Sequence, residues 1–173
     1  NMDFYEFYLK VANIISKESY LDSIISYKQE EINLLLDKIY VQNPFYKFPL
    51  DILHNNQKLI RNRIHPKLPL IKIIFNKIEK DTVSLHVKNM IDMPIEIHYF
   101  KYNSKNDIIP NNRILLKSNY RLSSINKNQN VNINIGNDID QLEFSYDSLE
   151  VYYSILGMDE IFKTIVFPIE MSE

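Results

Sequence analysis

The sequence contains no cysteine, no tryptophan and only two glycines among its 173 residues. Without cysteine the chain has no disulfide, no thiolate zinc site and no cysteine nucleophile. Gly136 and Gly157 are too few for a glycine-rich phosphate-binding loop or a dinucleotide-binding fingerprint. Neither flanks a serine as in a nucleophile elbow, and the one Ser-x-x-Lys match, Ser124 to Lys127, lies in an Asn-rich connection. The sequence therefore predicts no enzyme and no cofactor.

The charge of the chain is balanced rather than concentrated. Its formal net charge is −2 and its pI is about 6.1, which argues against a nucleic-acid partner, since such proteins usually carry a basic face. No apolar run approaches the roughly 20 residues that span a bilayer, and the N-terminus lacks a signal-peptide pattern. Because the chain begins at Asn1 rather than at Met, we expect it to be part of a longer polypeptide, with its compartment unknown.

The first third of the sequence has helical periodicity. Apolar residues recur every three or four positions after two start signals, and Pro44, Pro49 and Pro66 mark helix boundaries. These signals predict about three helices within residues 1–66. In the second helix an apolar stripe should be buried against another part of the chain or against a neighbouring domain. The stripe consists of Ile25, Ile32, Leu36 and Ile39.

After Pro69 the apolar period changes to two, which is typical of half-buried strands. About seven or eight short alternating runs follow, separated by Asn-, Ser- and Lys-rich connections, and no helical segment lies between them. The pattern predicts an all-β antiparallel sandwich of immunoglobulin-like type over residues 69–173. The inward sets of the second and third runs are Val83, Leu85, Val87 and Ile95, Ile97, Tyr99. Later runs are expected at 113–117, 131–135, 142–146, 149–156 and 161–169.

Metal binding is not predicted. The four histidines, at positions 54, 65, 86 and 98, do not show the i, i+4 spacing of two ligands on one helix face. His86 and His98 could lie side by side on neighbouring strands, facing away from the core, but a third ligand is missing. Asp138 and Asp140 superficially resemble a calcium loop, yet the bidentate glutamate is absent, so a turn is favoured.

Carboxylates and tyrosines leave two alternatives open. Glu96, Glu143 and Glu150 occupy polar strand positions, where a solvated sheet face is favoured. An enzyme with a dispersed active site would require a pocket with two or more carboxylates of perturbed pKa. Tyrosine is abundant, with 12 residues, and an exposed tyrosine can stack on a sugar ring. The candidate ligand-binding residues are Tyr102, expected to be exposed, and the pair Tyr152 and Tyr153, expected to place one ring in the core and one outside.

Three stretches together resemble a known protein region. They are the helical piece 45–66, the segment Asn89 to Ile97 with its Asn-to-Pro turn, and Tyr153 to Gly157 followed by Phe167-Pro168. Their order resembles the region that follows the kinase-like domain in large bacterial proteins of the CotH type. The resemblance implies a helical linker leading into a β domain. It also implies a surface-associated or extracytoplasmic location and catalysis elsewhere, since none of the family's nucleotide- or metal-binding residues maps onto this chain.

The leading hypothesis is a non-catalytic accessory or interaction module of a larger bacterial surface-associated protein. Its partner would be a neighbouring domain of the same polypeptide or another protein. The alternative is a carbohydrate- or cell-wall-binding β-sandwich, whose partner is a glycan.

Overall fold

The computed structural model describes residues 2–67, 69–103, 106–118, 129–135 and 144–168, except for the side chain at 106. The chain divides into two compact units. One is helical and runs from Glu6 to Pro66. The other contains the strands and comprises residues 67–173 together with Asn1–Tyr5.

The helical unit is formed by four helices instead of the three expected. They are α1 Met2–Ile15, α2 Glu18–Tyr27, α3 Gln29–Gln42 and α4 Leu50–Ile64. The second expected helix is divided at Lys28, whose φ of −99° and ψ of 8° leave the helical range. No aliphatic side chain lies between Ile25 and Ile32 to hold this turn, and Glu30 and Glu31 favour a new helix N-terminus. As expected from Pro44, α3 ends at Gln42.

Polar contacts fix the corner between α1, α2 and α4. The buried Gln57 donates from Nε2 to the carbonyl oxygens of Ile15, at 2.9 Å, and Lys17, at 2.7 Å. The carbonyl of Ile15, at the C-terminus of α1, has no intrahelical partner and obtains a donor here, whereas the carbonyl of Lys17 also accepts from the Tyr20 N–H at 2.9 Å. His65 Nε2 also lies 3.0 Å from Asn13 Oδ1. The helical unit is thus held at this corner by hydrogen bonds as well as by packing.

The β unit contains two antiparallel sheets. The first has the order β1-β2-β6 and the second the order β4-β3-β7-β8, with β5 also paired to β3. The strands are β1 Ile71–Glu79, β2 Thr82–Asn89, β3 Ile95–Tyr102, β4 Asn106–Ile108, β5 Ile114–Leu116, β6 Gln129–Asn134, β7 Leu149–Ile155 and β8 Phe162–Ile165. A single parallel bridge adds Phe167 to the edge of β1, where Phe75 N–H donates to the Phe167 carbonyl at 2.8 Å.

The core of the β unit follows the alternation of the strands. Val83, Leu85 and Val87 are completely buried, while the residues between them are partly exposed. The prediction of helices followed by a sandwich-like antiparallel β fold is confirmed at this level. Strand β4 was not expected. The expected strand at 142–146 is wrong in its described part, because a 3-10 turn occupies Tyr146–Ser148.

The connection from β2 to β3 crosses from one sheet to the other and is organised by Asn89. This side chain is buried, and its Nδ2 donates to the carbonyls of Met93, at 2.7 Å, and Lys117, at 2.9 Å. Its Oδ1 accepts from the Ile91 N–H at 3.0 Å. A single amide therefore satisfies three backbone groups at the corner of the sandwich.

Candidate functional site

Tyr102 is buried, so its expected exposure is wrong. The ring is 6% exposed, stacks on Phe144 with centroids 5.2 Å apart, and its hydroxyl accepts from the Ser145 N–H at 3.1 Å. The cause is a β-bulge in β3 between Ile97 and Tyr99, which reverses the alternation. Downstream of the bulge Phe100 and Tyr102 point inward, and Tyr99, expected in the core, is partly exposed.

The pair Tyr152 and Tyr153 has one ring in the core and one outside it, as expected. Tyr153 is buried, and this burial raises the pKa of its hydroxyl, an effect that a hydrogen bond with the Leu70 backbone partly offsets. Tyr152 lies on the outer face of the five-stranded sheet. With Tyr102 and Tyr153 directed inward, the three candidate rings do not form a common surface, and the binding role assigned to them stays a prediction.

The outer face of the five-stranded sheet carries a cluster around Tyr152. Its ring stacks on Tyr99 across the β3–β7 ladder, with centroids 4.4 Å apart and planes 13° apart. Its hydroxyl donates to Glu150 Oε2 at 2.9 Å, and Lys163 Nζ donates to Glu150 Oε1 at 3.0 Å. The bond from Lys163, and then that from Tyr152, lowers the pKa of Glu150, and Glu150 in turn raises the pKa values of Tyr152 and Lys163.

The polar groups and one ring face of each tyrosine in this Tyr152 cluster already have partners within the sheet. Each of the two tyrosine rings covers one face of the other, so a sugar can stack only on the remaining faces. The Glu150 carboxylate is neutralised by Lys163, and Glu96 on the same sheet is held by two hydrogen bonds from the Arg113 guanidinium. Glu96 and Glu150 lie at outward, partly exposed strand positions, with 17% and 19% of their side chains exposed, and Glu143 lies outside the described residues.

His86 and His98 are not neighbours, because β2 and β3 belong to different sheets. His86 Nδ1 lies 2.6 Å from Asn130 Oδ1, and His98 Nε2 lies 2.9 Å from Ser154 Oγ. Side-by-side placement requires neighbouring strands, whereas the Asn89 corner sends the chain to the other sheet. Asp138, Asp140 and the Ser124 to Lys127 match fall outside the described residues.

The described part of the chain has neither a metal-binding cluster nor a helix that could cross a membrane. No group of three or more His, Asp or Glu side chains is arranged to hold a metal ion there. None of the helices there has both the length and the apolar character needed to cross a membrane.

A cleft of about 570 Å³ lies between the edges of the two sheets. Its walls are consecutive residues, 107–112 with Ile114 on one side and 132–135 on the other, so it follows the strand edges rather than one sheet face. Its polar groups include the amides of Asn111, Asn112 and Asn132. A smaller cleft of about 280 Å³ includes Lys77 and Glu79. Among the residues that the structure describes, the larger cleft is lined by one carboxylate, Asp107, and the smaller by one, Glu79.

The helical unit exposes most of its apolar side chains. Helices α2 and α3 bury no residue, and the stripe expected to be buried is not: Ile25, Ile32 and Leu36 are partly exposed and Ile39 is 37% exposed. On α1, Phe7, Val11 and Ile14 are exposed at i, i+4, i+7 spacing, with Phe7 at 68%. We call these three residues the α1 face. Periodicity identified these helices as amphipathic, but it does not say whether their partner belongs to the chain.

Comparison with known proteins adds no assignment: no family model matches this chain, and no curated protein matches it.

Proposed function

We propose that the chain is a non-catalytic accessory module of a larger bacterial surface-associated protein, which docks through the α1 face onto a neighbouring domain of the same polypeptide or onto another protein. The observation that carries the proposal is the exposure of Phe7, Val11 and Ile14. The resemblance to the region downstream of the kinase-like domain in CotH-type proteins supports the cellular setting. In this proposal the sandwich, of immunoglobulin-like type, is the rigid support.

Helix α1 is apolar on two opposite sides. Leu9 and Ala12 are buried, and the α1 face lies on the other side of the helix, about half a turn away. A helix that is apolar all round is normally buried on all sides. The chain itself covers the side of α1 that carries Leu9 and Ala12. We infer that the α1 face contacts a second partner.

The exposed apolar area of α1 is large for a monomer. Because a phenylalanine or tyrosine side chain offers about 150–250 Å², the exposed parts of this helix together amount to roughly 500 Å². That area is in the upper range of the largest apolar patch on a typical monomer, and such patches mark interaction surfaces. Lys10 is the only basic residue of α1, whereas helices that lie on a membrane surface usually carry several, so a protein partner is favoured.

Hydrogen exchange tests this proposal. The isolated chain is compared with the longest natural polypeptide that contains it, and we expect the α1 amides to exchange more slowly in the longer protein. Replacing Phe7→Ser and Val11→Ser together should abolish the added protection, because both side chains lie in the contact. The matched control Phe45→Ser, an equally apolar and more exposed residue outside α1, should preserve it. Identical α1 exchange in the two proteins would contradict the proposal.

The amide-lined cleft favours a second candidate, carbohydrate binding. A side-chain amide both donates and accepts hydrogen bonds, as a sugar hydroxyl does. The cleft volume of about 570 Å³ lies within the range of small-molecule sites. Calorimetric titration with cell-wall glycan fragments should show binding that Asn112→Leu with Asn132→Leu removes and that Tyr152→Phe preserves. Absence of binding by the folded chain would eliminate this candidate.

A further inference from the structure

Helix α3 has no buried side chain over its 14 residues, all of which the structure describes. Leu34 is 57% and Val41 86% exposed, and Leu35 is also exposed. Isolated helices of about 12–15 residues are only marginally stable in water, and most helices in proteins are stabilised by packing of their apolar face. We therefore expect helix α3 to pack against an additional partner.

One face of α3 combines apolar and oppositely charged residues. Glu31, Leu34, Lys38 and Val41 recur at i, i+3, i+7 and i+10, the spacing of a single seam along a helix, and we call them the α3 stripe. Leu35 borders this seam. The two charges lie at nearly equal distances on either side of the Leu34–Leu35 pair.

We propose that α3 pairs antiparallel with α3 of a second copy of this chain, about a two-fold axis between Leu34 and Leu35. In this register Glu31 faces Lys38 of the second copy. Because a two-fold contact occurs twice, both charges of each stripe meet an opposite charge. Leu34 meets Leu35 of the second copy at the centre. In a parallel pairing Glu31 would face Glu31 of the second copy, and Lys38 would face Lys38 of the second copy. Like charges would then repel each other.

The remaining charges permit this pairing. The helical unit has eight Lys and Arg residues and seven Asp and Glu residues, and the whole chain has a net charge of −2, so repulsion between two copies through net charge is small. Glu31 accepts a hydrogen bond from Lys28 Nζ at 2.7 Å, but both side chains are more than half exposed. An exposed ion pair of this kind is weak, so Glu31 can exchange this partner for one in a second copy.

The contact area indicates a reversible dimer. Tyr27 precedes the helix on the side where Val41 of the second copy would lie, and it is 84% exposed. Together with Leu34, Leu35 and Val41 it offers roughly 500 Å² per copy, against about 800 Å² per partner in a standard interface. We therefore expect dissociation in the micromolar range rather than an obligate dimer.

Charge exchange tests the pairing directly in the 173-residue chain. Sedimentation velocity over a micromolar concentration range should show a monomer–dimer equilibrium. Glu31→Lys and Lys38→Glu, each alone, should raise the dissociation constant at least about tenfold, since like charges then meet twice. Mixing the two single variants should restore dimers, because every facing pair is again opposite. The double variant should also dimerise.

Two controls separate this inference from the docking of α1. Gln29→Lys adds a positive charge in the same turn but on the opposite side of the helix from the α3 stripe, and it should leave dimerisation unchanged. Phe7→Ser alters the α1 face and should also leave it unchanged. Circular dichroism verifies that each variant retains its helices. A chain that stays monomeric, or a dimer that ignores the single exchanges, overturns the inference. A dimer lost only with Phe7→Ser would overturn it while leaving the α1 face as an interaction surface.

Discussion

The two units of this protein contain similar proportions of apolar residues but bury very different numbers of them. Of the 61 residues from Glu6 to Pro66, 28 are apolar, close to the 45% of the whole chain. Only Leu9, Ala12 and Ile64 of these are buried. In the β unit, 21 apolar residues are buried among those that the structure describes. Composition therefore does not distinguish a unit with a complete core from one that exposes most of its apolar surface.

The reason lies in where each element obtains its backbone hydrogen bonds. A strand must pair with other strands, and pairing into two facing sheets also buries one side of each strand. A helix satisfies its backbone internally, so it can form while its apolar face is still exposed. The helical unit can thus offer surfaces to partners, whereas the β unit uses its apolar residues for its own stability.

The largest expected contrast comes from one substitution made in both units. Phe100→Ala removes a completely buried ring and should lower the free energy of unfolding by about 3–5 kcal/mol. Phe7→Ala removes a ring that is mostly exposed and should change it by less than about 0.5 kcal/mol. Urea unfolding at a dilute protein concentration measures both. Equal losses would mean that Phe7 is buried in solution and that the comparison is wrong.

The corner of the sandwich should be the next most sensitive position. Asn89→Asp replaces two hydrogen-bond donors by a carboxylate facing the carbonyls of Met93 and Lys117, and we expect a loss of about 2–3 kcal/mol. Asn132→Asp makes the same change at an exposed position and should cost less than about 0.5 kcal/mol. Thermal unfolding of both variants measures the difference. An equally small loss of stability at both positions would show that the corner does not depend on the Asn89 amide.

The corner of the helical unit should respond in the same way but less strongly. Gln57→Leu removes the hydrogen bonds that Gln57 donates to the carbonyls of Ile15 and Lys17, which we expect to cost about 1–2 kcal/mol. Faster hydrogen exchange should appear in α1 and α4 and not in β2, because the loss is confined to this unit. Asn56→Leu, at the exposed neighbouring position, is the control. Unchanged exchange in α4 would show that packing alone holds the corner.

The smallest effect concerns alkaline pH and the β core. Burial raises the pKa of Tyr153 above its ordinary value of 10.0, so the folded state retains this proton to higher pH than the unfolded chain does. The contribution is fully present below pH 10 and is lost as pH rises through the folded pKa. Tyr153→Phe should therefore weaken the alkaline decline in unfolding free energy. An identical decline in both proteins would show that the ring is not buried.

Local patterns predicted much of the fold. Alternation located β2 and its buried residues, and Pro44 located the end of α3, because both signals act within a few residues. The predictions were wrong where a single local irregularity changed the side or the sheet of the residues that follow it. The bulge in β3 reversed the sides of Tyr99 and Tyr102, and the Asn89 corner separated His86 from His98. Neither feature has a sequence signal strong enough to be placed in advance.

The candidate surfaces also combine features that local patterns predict with features that depend on the tertiary structure. The cleft and the Tyr152 cluster depend on which strands are neighbours, and Tyr99, Tyr152 and Lys163 meet only through the pairing of β3, β7 and β8. The α1 face was visible in the sequence as periodic apolar residues, but its exposure was not, and the sequence analysis singled out a different set of residues on α3.

By itself the sequence determined the element types, the inward sides of regular strands and the absence of cysteine and glycine-loop chemistry. These properties follow from residue type and short-range spacing. Tertiary structure alone decided the sheet order, the burial of Tyr102 and the exposure of α1 and α3. Burial depends on contacts between distant residues, and an amphipathic helix has the same pattern whether its partner belongs to the same chain or to another.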